Sequence, residues 1–237
     1  MDRREMFGIL GTMGAGLAGA GARAADDHGA HVEGDGKRRA PLANLHAHFC
    51  GIHMAKKDPK FQIVTQHYCA QVGDGVHQCL LFDSCDKGAK LIGVEYIISD
   101  DLYRALKDEE KKYWHPHTYE VLAGGLIAPG MKPEDEMKVM KVILNTWGKT
   151  WHTWPDPQTA VPVGEPLLMW AVTGDGQIDQ DVVAARDKQF HVNGAQIREH
   201  RCQSIGLEVP KVSLPKSVEQ VGRQWTDDGE DKPTRRQ

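Results

Sequence analysis

The segment "NLHAHFCGIHMAKKDPKFQIVTQHYC", Asn44 to Cys69, gathers His46, His48, His53 and His67 with Cys50 and Cys69, in a chain of 237 residues holding 12 histidines and 5 cysteines. Neutral imidazole is a ligand for zinc, copper, iron or nickel, so metal binding is the first chemistry this density suggests. A second segment, "WHPHTYE", sets His115 and His117 two residues apart, with Glu120 after them. Two imidazoles on one side of an extended stretch can converge on a cation, and the spacing resembles half of a cupin metal motif, whose second half is not found downstream. In "GKTWHTW", His152 stands between Trp151 and Trp154. That setting suits a packed core histidine better than a ligand.

Strand geometry links the first segment to a carboxylate. "FQIVTQHYCAQV" and "VHQCLLFDS" read as strands around the turn "GDG", and "AKLIGVEYIIS" as a third. If the turn pairs Val72 with Val76, Cys69 lies opposite Cys79; if the next turn pairs Asp83 with Leu91, Cys79 lies opposite Glu95. Residues two apart share a face, so His67, Cys69, Cys79 and Glu95 then form one cluster. Small core residues are the commoner fate of such cysteines, and a cross-strand disulfide is the alternative. Glu95 sits inside the apolar run "LIGVEYII", where it either faces water or needs a buried partner.

The candidate metal ligands are therefore His48, His53, His67, Glu95, His115 and His117, for a divalent transition metal among zinc, copper, iron, nickel and manganese. Glu95 would complete the shell or act on a bound water. A Cys50 or Cys69 nucleophile with a histidine partner is a weaker reading. Paired Cys-x-x-Cys, His-Glu-x-x-His, P-loop, Gly-x-Ser-x-Gly and dinucleotide signatures are missing from the chain, so no catalytic residue and no enzymatic activity is assigned.

The elements that must position these residues fit one domain. "DDLYRALKDEEKKYW", "PEDEMKVMKVILNTWGK" and "DQDVVAARDKQF" carry helical periodicity, "PLLMWAVT" reads as a strand, and "HTYEVLAGGLIAPG" as strand and turn. Interspersed strands and helices predict an α+β fold, an antiparallel or mixed β-sheet flanked by helices. With 40% hydrophobic and 26% charged residues the composition is that of a globular protein. No apolar run approaches the length of a membrane span, and a net charge of -4 offers no basic field for nucleic acid.

The first residues, "MDRREMFGILGTMGAGLAGAGARAADD", pair Arg3 with Arg4 ahead of a Gly-rich apolar stretch and a small-residue cleavage pattern at Ala22-Arg23-Ala24. They read as a twin-arginine-type signal peptide over 1–24, the route that carries folded proteins across a bacterial inner membrane. The expected organisation is that leader, a flexible linker over 25–41, a domain over 42–215 and a disordered tail over 216–237, in a periplasmic or secreted protein. An oxidising compartment would let some of the cysteines pair.

Together, "HFCGIHMAKKDPKFQIVTQHYC", "KLIGVEYIISDDLY", "EEKKYWHPHTYE", "GKTWHTW" and "VGEPLLMW" resemble the oil body-associated protein family, a catalogued domain of unknown function, from about Leu45 to Phe190. The most specific blocks are Cys50-Gly51-Ile52-His53, His67-Tyr68, Gly93-Val94-Glu95-Tyr96 and Trp114-His115-Pro116-His117. The resemblance implies one compact domain that includes the histidine blocks. The family is named for plant members on seed lipid droplets; the leader and the lack of a long apolar hairpin argue against carrying droplet association over. Two functions are expected: an exported protein binding a transition metal through a His-rich site, or a non-catalytic lipid-surface or protein-binding module with a structural His/Cys polar core.

Overall fold

The computed structural model describes residues 40–209. The leader expected over 1–24, all but the end of the linker over 25–41, and the tail over 216–237 lie outside the described residues. Among the described residues there are seven strands: β1 (Ala47–Ala55), β2 (Asp58–Gly73), β3 (Val76–Phe82), β4 (Leu91–Ser99), β5 (His115–Pro116), β6 (Thr146–His152) and β7 (Leu167–Ala171). They run β4-β3-β2-β1-β7-β6-β5, all antiparallel, and β4 also pairs with β6 from Gly93↔His152 to Ser99↔Thr146. That pairing joins the ends of the sheet into a closed six-stranded barrel, with β5 as a short addition to β6.

This corrects the expected α+β fold. The sheet is not an open layer flanked by helices; it closes on itself, and closure removes its free edges. The helices are short: α1 (Ala40–Ala43), α2 (Asp100–Ala105), α3 (Asp108–Lys111), α4 (Thr118–Leu122), α5 (Pro133–Ile143), α6 (Gln180–Phe190) and α7 (Gly194–Ile205). Gly93 shows how tight the closure is, because a Cβ there would run into the Trp151 carbonyl across the β4–β6 pair.

Local chemistry explains several helix starts. Ser99, Asp179 and Asn193 cap α2, α6 and α7 by accepting hydrogen bonds from the backbone N–H of Leu102, Asp181 and Gln196, and Pro133 opens α5. "DDLYRALKDEEKKYW" breaks into α2 and α3, "HTYEVL" is the helix α4 rather than a strand, and the end of the expected third-quarter helix, "NTWGK", feeds into β6. β1 escapes strand reading because Phe49 to Ala55 are all buried, leaving no apolar–polar alternation. Beyond the reach of β7, Cys50 exchanges two backbone bonds with Ile127.

Cys69↔Cys79 and Cys79↔Glu95 are paired as expected, but both turns differ from the expected ones: Val76 pairs with Gly73 rather than Val72, and Leu91 with Phe82 rather than Asp83, across irregularities at Gln71/Gly73 and Leu81/Phe82. Cys69 and Cys79 are buried and joined as a disulfide; Cys50, Cys85 and Cys202 are free. One apolar cluster gathers Phe49, Leu81, Ile92, Val121, Leu122 and Met140, and a second gathers Met54, Tyr103, Trp114, Tyr119 and Trp170. No helix among the described residues is long and apolar enough to cross a membrane.

Candidate metal centre

Inside the barrel, alternation brings His53 of β1, His67 of β2, Glu95 of β4 and Thr150 of β6 onto the inner face, each buried. β5 lays His115 opposite Gly148, and His117 follows at the start of α4. The Thr150 hydroxyl donates to Glu95 Oε1 at 2.7 Å. His115 Nε2 and His117 Nε2 each lie 3.5 Å from the same oxygen. The other oxygen, Oε2, lies 3.2 Å from His67 Nε2, which is 3.1 Å from His53 Nε2. His53 Nδ1 in turn lies 3.1 Å from His152 Nε2, and Glu120 Oε1 is 3.9 Å from His117 Nε2.

The outer hydrogen bonds fix which imidazole nitrogens carry protons. The Thr146 hydroxyl donates to the Ile143 carbonyl at 2.7 Å, so at 2.8 Å it accepts from His117 Nδ1–H. His67 Nδ1–H donates to the Thr65 carbonyl at 3.1 Å, since a carbonyl only accepts. In their neutral forms both rings therefore turn bare Nε2 lone pairs towards the Glu95 carboxylate. Acceptors facing an anion in a dry interior require positive charge among them, as protons or as a metal ion.

The ionisation of the cluster expresses the same demand. Burial pushes the Glu95 carboxyl up, but hydrogen bonds from His117 and His67 outweigh it and hold the group well below the usual carboxylate range. Burial pushes His117 down, and its bond to Glu95 with the charge of Glu120 turns that into a net rise. Burial and neighbouring imidazoles lower His115 and His152 to about 3 and hold His53 well below its ordinary value, the neutral state that ligation needs. Burial raises Glu120 to about 7. Among the described residues, neither ring nitrogen of His115 has a hydrogen-bond partner.

Of the six sequence candidates, His53, His67, Glu95, His115 and His117 come together and His48 does not. His48 lies on the outer side of β1, donating to Gln66 Oε1 at 3.0 Å and stacked on Tyr68. Glu120 and His152 join the cluster from outside that set. Glu120 was visible as the end of His-x-His-x-x-Glu, whereas His152 was hidden by its tryptophan neighbours. The cysteine-nucleophile reading loses its chemistry: Cys69 is in the disulfide, and burial pushes the Cys50 thiol up to about 12. A cavity of about 310 Å³ lies at the end of the barrel, lined by Ala47, Phe49, Cys69, Ile97, Ile143 and Thr146. Thr146 thus touches both the cavity and His117.

Fold and site define a closed antiparallel barrel with a buried His/Glu cluster in its interior. The chain belongs to the family described as "Protein of unknown function (DUF1264)", whose sequence profile matches residues 39–205. It is 39% identical over 170 residues to oil body-associated protein 1A of Zea mays, covering 71% of each chain. It is 37% identical over 171 residues to oil body-associated protein 1B of Arabidopsis thaliana, covering 72% of this chain and 71% of that one. With oil body-associated protein 2C of Arabidopsis thaliana the identity is 34% over 170 residues, 70% of this chain and 72% of the relative. No solved structure matches. These relatives overturn the expectation of a periplasmic or secreted bacterial protein: they are plant proteins named for oil bodies, and the leader behind that expectation lies outside the described residues.

Proposed function

We propose that this protein binds a divalent transition metal inside the barrel through Glu95, His115 and His117. The observation that carries the reading is the bond from His117 Nδ1–H to Thr146, which turns the His117 Nε2 lone pair towards Glu95 Oε1. An outer hydrogen bond that fixes the tautomer and orientation of a ligating imidazole is a recurring feature of metal centres. His115 adds a second imidazole without a competing hydrogen bond among the described residues. One donor atom from each of Glu95, His115 and His117 lies within 4.8 Å of the other two, and the His115 and His117 Nε2 atoms are each 3.5 Å from Glu95 Oε1. The donor set is imidazole and carboxylate without thiolate, which suits zinc, iron, manganese, nickel or copper rather than a soft thiolate-bound ion.

The test is elemental analysis of full-length protein purified without a histidine tag. The expected result is stoichiometric metal, reduced by one ion per chain in His115→Ala and in His117→Ala and unchanged in His200→Ala on the exposed face of α7. Wild-type protein that holds no metal, and shows no thermal shift with zinc, copper, iron, nickel or manganese, would leave the cluster as the polar core of a binding module.

A further inference from the structure

We infer that the centre is dinuclear, with a second divalent ion held by His53, His67 and the far oxygen of Glu95, so that this carboxylate bridges two ions. The inference rests on the Glu95, His115, His117 reading above and extends it. The two oxygens of Glu95 face different ligand sets: Oε1 faces His115 and His117, and Oε2 faces His67. The donor atoms fall into two groups that share only Glu95, each with its atoms within 4.8 Å of one another. One ion cannot serve both groups as well as two ions can, because the carboxylate's oxygens point to separate clusters.

The spacing within the second group fits coordination. Two donors each about 2.1 Å from one ion, at angles between square and tetrahedral, stand about 3.0–3.4 Å apart. His53 Nε2 to His67 Nε2 is 3.1 Å and His67 Nε2 to Glu95 Oε2 is 3.2 Å. The rings are also oriented as ligands. His67 gives its Nδ1 proton to the Thr65 carbonyl, leaving Nε2 bare. His53 Nδ1 is 3.1 Å from His152 Nε2, so donation of the Nδ1 proton to His152 leaves His53 Nε2 bare as well. His152 is then a positioning residue, held behind His53 rather than at the ion. His53, His67, Glu95 and His152 are all buried, so water does not compete for these lone pairs.

The experiment uses the full-length untagged chain, stripped with a chelator, titrated with zinc and desalted before elemental analysis. The expected count is two zinc ions per chain, falling to one in His67→Gln, to one in His53→Gln and to one in His115→Gln. Manganese-loaded wild-type protein should give an exchange-coupled electron paramagnetic resonance spectrum that each single-site variant converts to that of an isolated ion. His152→Ala should weaken the second zinc at least tenfold, with His152→Gln recovering part of the loss. One zinc in the wild type, unchanged by His67→Gln, overturns the second ion and leaves the first site standing. Two zincs without exchange coupling in the manganese form overturn the bridge. No zinc at all overturns the underlying metal reading and this one with it. The wild-type count and spectrum decide the matter even where a variant fails to fold.

Discussion

The backbone of Gly148 lies so close beneath the Glu95 carboxylate that a Cβ at this position would collide with Oε1, and it would stand 2.6 Å from His117 Nε2 and 2.8 Å from His115 Nε2. The barrel wall is hollowed by one missing methyl group where three donor atoms meet. Gly148→Ala should therefore weaken metal retention at least tenfold and destabilise the fold by about 1–3 kcal/mol through overpacking. Metal content and denaturant midpoints check the two effects separately. Full metal content in a stable variant would contradict the packing argument.

The Cys69–Cys79 disulfide spans a separation of 10 residues across the β2–β3 hairpin, two pairs along the ladder from His67↔Leu81 and so on the same face. Closing so short a loop stabilises by about 2–3 kcal/mol in the chain-entropy account. The double substitution Cys69→Ala, Cys79→Ala should lose about that much in denaturant unfolding. Peptide mapping of alkylated, unreduced protein should recover the two cysteines as one linked species, with Cys50, Cys85 and Cys202 alkylated after unfolding.

Lys56 is buried with its Nζ 3.5 Å from the Trp170 ring centre and a 3.4 Å bond to the Lys112 carbonyl. Burial pushes it from 10.5 down to about 6. Between those values the unfolded chain binds a proton that the native state does not, so stability rises with pH across the window. Lys56→Met should keep the packing against Trp170, remove that slope between pH 6 and 10, and stabilise by about 1–3 kcal/mol at pH 7. Denaturant midpoints against pH for both proteins provide the check; parallel curves would place the solvated ammonium elsewhere.

Arg201 on α7 donates from Nη1 to the carbonyls of Val121 and Leu126, both at 2.7 Å, and pairs through Nη2 with Glu136 at 3.2 Å. It holds the segment that carries Glu120 against the barrel. Arg201→Met should cost about 3–5 kcal/mol, because it strands two buried carbonyls and a carboxylate partner. Glu136→Gln should cost less, since an amide oxygen can still accept from the Ala128 N–H that Glu136 Oε1 binds at 2.8 Å. Thermal or chemical unfolding of both variants should show that order.

Alternation in "QHYC", "HQCL" and "GVEY" puts His67, Cys69, Cys79 and Glu95 on one face once Cys69 opposes Cys79 and Cys79 opposes Glu95, the observed pairing, because the strand period of two is a local property; the turn pairs assumed to reach that register are each off by one residue. Residue type alone marked His53, His115 and His117, without saying which of them would meet. The closure of β4 onto β6 had no local signature: its partners Gly93 and His152 are chosen by the packing of the whole sheet, and no period in either segment names the other. The contact between His53 and His152 bridges 99 residues and exists only because the barrel closes. His48 and His53 look equivalent in the sequence, yet opposite parity on β1 sends one to the outer surface and the other to the interior. Composition and short-range period determined the donors and the hairpin; the tertiary structure decided the barrel and the membership of the cluster, because long-range strand pairing depends on how all the apolar surface is buried at once.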